Sequence, residues 1–286
     1  MSKILYDALQ TSGIKTIIHD LQEASNGLGI NFFGIGALAR NVWFVSNDEQ
    51  ARGTKDVDFA VLVPTLATYQ ALKNKLVIDY NYTEVSTNQY CLLSPPPHQT
   101  PLDLLPFAMI DELESELIIT KSLLSDTFDG LPEVYMNGLV DATIEEHSIN
   151  ICSIPSVIIL KLISYDDRPE HRPNDPIDIN SILHHYPALE MELIWEEYTF
   201  LYETDKDELS PRDIGIKVLG YEIAKIIGIN PRLLERILDI LDRAIHLQSN
   251  LAPQMIQDSV NETVEDKCNC LAFIKQGIEE KITNHS

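Results

Sequence analysis

Two carboxylates one residue apart, Asp56 and Asp58, open an apolar run within the segment 52–63, Arg-Gly-Thr-Lys-Asp-Val-Asp-Phe-Ala-Val-Leu-Val. This constrains the fold more than any other feature. The Val- and Phe-rich run predicts a β-strand over Val57 to Val63, ended by Pro64. Side chains alternate faces along a strand, so both acids project to one side while Val57 and Phe59 enter the core. Carboxylates this close repel unless a cation sits between them, and hard cations such as Mg2+ take oxygen ligands together with substrate phosphates. Taken alone, the pair also fits acids solvated in a turn.

Neighbouring segments favour phosphate chemistry. Residues 30–40 read as a short buried strand (Asn31 to Phe33), a turn through Gly34 and Gly36, and the first turns of a helix bearing Arg40. Glycine lets a phosphate approach the backbone, and a helix start offers unpaired N–H groups at the positive end of its dipole. The same text also fits an ordinary strand-to-helix turn. Downstream, Pro101 to Phe107 is a second apolar strand, and its one acid, Asp103, lies between leucines where unpaired burial is costly. Its expected place is beside Asp56 and Asp58.

The rest of the chain divides by pattern. Helical spacing runs from Ser2 to Ser25, broken at Gly13, and a further helix is expected over Leu66 to Leu76. A short hairpin follows (Tyr82 to Ser86, Tyr90 to Leu93), and weak alternation over Glu133 to Ile151 predicts an extra sheet edge. After Pro155 every strong pattern is helical, including Ile214 to Ile227, Pro231 to Leu247 and Thr263 to Ile282. The expected architecture is α+β: a mixed β-sheet with flanking helices in a catalytic domain over 1–152, then a mostly helical domain over 153–286. In the first helix after Pro155, Lys161 is the lone cation of an apolar run, either snorkelling outward or aimed at an anion. Asp175 and Asp178 follow, three apart on one face of a helix start, where the dipole favours acids in any case. Arg232, Arg236 and Arg243 form a stripe expected to be a solvated helix face.

These motifs together resemble the nucleotidyltransferases of the DNA polymerase beta-like superfamily, and within it the AbiEii-type toxins. The matching text is Gly34-Ile35-Gly36-Ala37-Leu38, the segment from Arg52 to Asp58, Lys161, and the element from Arg172 to Asp178, over the first two thirds of the chain. The resemblance implies a nucleotidyltransferase-type sheet and two Mg2+ ions held by Asp56, Asp58 and Asp103. It further implies a nucleoside triphosphate met by Gly34, Gly36, Arg40, Arg52, Thr54, Arg168 and Arg172, with Lys161 catalytic and Asp175 and Asp178 orienting the cations or the acceptor. Three departures stand out: Ile35 where the family places a second Gly or Ser, which either weakens nucleotide binding or shifts the turn so that Gly36 supplies the close approach; Asn174 where it places lysine; and a long spacer from Asn41 to Ala51.

Composition narrows the partners. A net charge of −23 opposes loose attraction to nucleic acid and suits a cationic small molecule or a protein acceptor. Cys91, Cys152, Cys268 and Cys270 lack zinc spacing, which predicts reduced thiols in a bacterial cytoplasm, and no run is long enough to span a membrane. Three readings result: a nucleotidyltransferase acting on RNA, protein or a metabolite, as toxin to an antitoxin protein by resemblance; an aminoglycoside-type small-molecule nucleotidyltransferase; or an inactive nucleotide-binding module, favoured by Ile35.

Overall fold

The computed structural model describes residues 4–109, 129–204, 209–256 and 262–284 of the 286-residue chain. Ser2 of the first helical pattern, and Asn261 of an Asn-Glu-Thr glycosylation-type triplet, lie outside them. The chain forms two compact units: Met1–Tyr135 with Leu139–Ser153, and Met136–Gly138 with Ile154–Ser286.

The first unit is built on a seven-stranded mixed sheet. Its strands are β1 (Asn31–Gly34), β2 (Val57–Leu62), β3 (Thr83–Glu84), β4 (Cys91–Leu93), β5 (Pro101–Phe107), β6 (Leu139–Ile144) and β7 (His147–Cys152). They lie in the order β3-β4-β5-β2-β1-β7-β6. The central β2 pairs antiparallel with β1 and parallel with β5. It is buried on both faces, with Val57, Phe59, Ala60 and Val61 at most 1% exposed, which explains the near-continuous apolar run that follows Asp58. A 3-10 turn (Tyr6–Leu9) and the helices α1 (Ile14–Asn26), α2 (Gly36–Ser46) and α3 (Leu66–Tyr80) complete most of the unit, and Thr65 caps α3 by accepting from the Thr68 N–H at 3.1 Å.

The segment 133–151 departs from expectation. It begins as α4 (Leu131–Asn137), with Glu133 buried, and only then forms the β6–β7 hairpin. The hairpin lengthens the sheet as anticipated, but β7 lies inside it, parallel to β1, and β6 takes the edge.

The second unit is helical: α5 (Ile154–Asp167), α6 (Asn174–Leu189), α7 (Met191–Glu197), α8 (Thr199–Thr204), α9 (Pro211–Ile227), α10 (Pro231–Ile245), α11 (Leu251–Met255) and α12 (Val264–Thr283). Pro155 sits in the first turn of α5, where its missing N–H costs nothing. Capping boxes start α9 (Ser210 with Asp213) and α12 (Thr263 with Asp266). These two helices cross at their glycines: a Cβ on Gly220 would lie 2.1 Å from the Ile274 carbonyl oxygen, and one on Gly277 would lie 2.1 Å from that of Lys217. The arginine stripe of α10 is not simply solvated. Arg243 pairs with Asp166 at 2.8 Å and Arg236 pairs with Asp167, so both hold the end of α5.

Candidate active site

Strand register brings the acids together. Asp58 on β2 lies directly opposite Asp103 on the parallel β5, and Asp103 lies opposite Cys91 on the antiparallel β4. Partners in a register share a face, so Cys91, Asp103 and Asp58 form a row across three strands. Asp56 stands two residues before Asp58, just ahead of the strand. Its Oδ1 accepts from the Thr54 hydroxyl at 2.7 Å, which assigns Thr54 to this acid within the first unit. Asn88 donates to Asp103 Oδ1 at 3.4 Å.

The glycine turn faces this row. The Ile35 N–H donates to the Asp58 carbonyl at 3.1 Å. Gly36, the first residue of α2, has φ +59°, and a Cβ there would lie 2.8 Å from Asp58 Oδ2. Only glycine allows the turn to approach this closely. Ile35 is extended and 6% exposed, so its side chain joins the core and Gly36 supplies the close approach. Gly34 ends β1 one step before the turn. The Ile35 side chain makes no capping hydrogen bond at the start of α2, and the N–H groups of a helix's first turn have no partner within the helix.

The cations divide. Arg40 is 2% exposed and its guanidinium donates to Asn41 Oδ1 at 2.8 Å and toward the Arg52 carbonyl at 3.5 Å. The structure therefore places Arg40 inside, bracing the segment that carries the acids, where a nucleotide contact had been expected. Asn41 supports the same carbonyl at 2.9 Å. Arg52 itself is exposed.

In the second unit Lys161 is buried and bridges Asp175 Oδ1 at 2.7 Å and Asp178 Oδ2 at 2.8 Å. Burial alone would lower the pKa of the ammonium, but the two carboxylates outweigh it and hold the lysine above its ordinary value. The lysine of the apolar helix thus serves an internal ion cluster instead of snorkelling outward. Asp175 Oδ2 is buried with no hydrogen-bond partner among the described residues. Arg168 and Arg172, on either side of the 3-10 turn Pro169–His171, are exposed.

Two neighbours of Asp103 escaped the sequence reading. Cys91 is buried beside it, and burial followed by the Asp103 carboxylate pushes the thiol up to about 12, so it is protonated at neutral pH. Tyr69 donates to the Leu104 carbonyl at 2.9 Å, and its phenol is raised by burial and then by nearby groups that include Asp103. A hairpin strand over Tyr90 to Leu93 was legible, but identifying these neighbours needs its register against β5.

The donor set suits a hard divalent cation, being three carboxylates at one end of a strand pair with a turn that a Cβ would close. Among the described residues, however, no three His, Cys, Asp or Glu side chains stand together in a group that could hold a metal ion. The trio expected to form a ready cage is present as an in-register pair and a third acid turned to Thr54.

No protein-family model matches the chain, and no curated protein matches it. Among solved structures it is similar to an antigenic nucleotidyltransferase-like protein from Paracoccidioides brasiliensis, at 15% identity and a TM-score of 0.41, over 73% of this chain and 97% of that one. It is also similar to the antibiotic-resistance factor ANT(2'')-Ia, at 14% identity and 0.37, over 68% and 97%. A third is the CdnE cyclic dinucleotide synthase of Elizabethkingia meningoseptica, solved with GTP and Apcpp, at 13% identity and 0.28, over 96% and 93%.

Proposed function

We propose that the chain is a metal-dependent nucleotidyltransferase that moves a nucleoside monophosphate from a nucleoside triphosphate to an acceptor hydroxyl. The observation that carries this reading is the register of Asp58 with Asp103, with Gly36 set against the Asp58 carboxylate. Asp58 and Asp103, joined by Asp56 once it leaves Thr54, would hold Mg2+, which when bound neutralises charge on the phosphates and on the departing pyrophosphate. The N–H groups of the first turn of α2, at the positive end of its dipole, would receive phosphate oxygens. Asp103 would take the acceptor proton as the acceptor oxygen bonds to the α-phosphorus and the bond to the β-phosphate oxygen breaks. The sequence resemblance assigns Lys161, Arg52, Arg168 and Arg172 to the same chemistry, and a toxin role with an antitoxin partner to the chain. The charge of −23 favours a second reading in which the acceptor is a cationic small molecule.

Asp56→Asn combined with Asp58→Asn tests the assignment. In cell extract with Mg2+ and each α-labelled triphosphate, the wild type should place label in an RNA, protein or small-molecule fraction. The double variant should transfer none while melting as a folded protein. Undiminished label transfer by that variant would remove the assignment.

A further inference from the structure

The short helices α7 and α8 carry a surface that the proposed chemistry does not use. Trp195 and Tyr202 lie on successive helices and stack face to face, with ring centroids 4.9 Å apart and planes within 9°. Trp195 is 54% exposed, and Met191, one turn earlier on α7, is 58% exposed. Phe200 adds a further exposed ring at the start of α8. Ile194, Tyr198 and Leu201, each at most 3% exposed, fix both helices to the interior, and the Tyr198 ring meets that of Tyr221 edge-on at 5.5 Å. The ledge is therefore anchored from below before any partner arrives.

Its charge is one-sided. Residues 190–203 contain five glutamates and no lysine, arginine or histidine. Glu192 and Glu196 on α7 and Glu203 on α8 are exposed on the same two helices as the stacked rings, and Glu197 is paired with Lys225 at 3.0 Å. Carboxylates in this density repel the phosphates of nucleic acid and of anionic lipid. They attract guanidinium groups, which also stack on aromatic faces. Interface energy concentrates in Trp, Tyr and Arg, and a rigid ledge loses little entropy on binding. We infer that the Trp195–Tyr202 ledge with its glutamate rim is a docking surface for an arginine-rich, amphipathic segment of another protein.

Intrinsic fluorescence isolates this face, because the chain has two tryptophans and the other, Trp43, is 9% exposed and donates to the Cys152 carbonyl at 3.0 Å. The full chain is titrated with a synthetic helical peptide bearing arginine on one side and leucine on the other, and with the same peptide carrying glutamate for arginine. The arginine peptide should give a saturable blue shift and shield Trp195 from iodide, with affinity falling as salt is added. Affinity, measured for these variants by isothermal titration calorimetry because Trp195→Ser removes the fluorescent reporter, should drop about tenfold or more in Trp195→Ser and in the combined Glu192→Gln, Glu196→Gln, Glu203→Gln variant, both of exposed positions and both checked by thermal melting. No saturable shift, equal binding of the acidic peptide, or undiminished binding by the glutamine variant overturns the inference. So does emission that changes with protein concentration alone, which would make a second copy the occupant.

Discussion

Gly36→Ala isolates the contact on which the proposed site depends. Alanine at φ +59° carries the left-handed backbone penalty of about 1–2 kcal/mol. Its Cβ would also start 2.8 Å from Asp58 Oδ2, whereas ordinary contact begins at 3.4 Å, so the carboxylate or the turn must yield by at least 0.6 Å. Catalytic constellations tolerate about 0.5 Å, and a misplacement of about 1 Å costs on the order of a hundredfold in rate. The expected result is a loss of about 10- to 100-fold in label transfer and weaker Mn2+ binding by paramagnetic resonance, on top of the backbone penalty. Gly29→Ala is the matched control, since Gly29 has φ +65° but a Cβ there would meet nothing within 4 Å. It should lose comparable stability in urea and keep both transfer and Mn2+ affinity. If Gly36→Ala transfers at the wild-type rate while folded, or if Gly29→Ala loses as much activity, the contact with Asp58 has no part in the chemistry.

Two further outcomes follow from the helical unit. Lys161→Met leaves Asp175 and Asp178 buried without their cation, and urea melts at pH 7 should show a loss of about 3–5 kcal/mol; a loss under about 1 kcal/mol would mean that the cluster is already hydrated. Glu190 is raised from 4.5 to about 7 by burial and then by Glu222, so the folded state binds its proton more tightly than the unfolded chain does. The stability from this carboxyl is complete below pH 4.5 and lost as pH rises through 7, by about 3 kcal/mol at most at about 1.4 kcal/mol per tenfold change in proton affinity. Glu190→Gln should match the wild type near pH 4 and exceed it near pH 8, and a difference that is flat across this range would exclude the linkage.

How much of this was legible in the sequence depends on whether local pattern or distant pairing decides it. The strands holding Asp58 and Asp103, the turn after β1 and the helical run from Pro155 onward follow from apolar runs, glycine and proline, all of which act within a few residues. The alignment of Asp58 with Asp103 and then with Cys91 is set by sheet order, which no local signal encodes. For the same reason β7 was expected at an edge although it lies inside the sheet, because parallel pairing with β1 depends on a crossover. The start of α4 was missed because Glu133 is buried, so polarity misreported which side faces water. Arg40 read as a phosphate ligand because it follows a glycine turn, but it is buried, and its guanidinium reaches Asn41 and the Arg52 carbonyl twelve residues away. Ile35 left two readings open, an obstruction or a turn shifted to Gly36, and the positive φ at Gly36 decides for the second.

The bare crossing of α9 and α12 limits how this chain can vary. Where main chains sit against each other with no room for even a methyl group, neither helix can slide or rotate independently, and an alanine at 220 or 277 acts as a wedge at a fulcrum. The displacement would grow along the twenty residues of the final helix, so its far end should register such a change more strongly than the crossing itself.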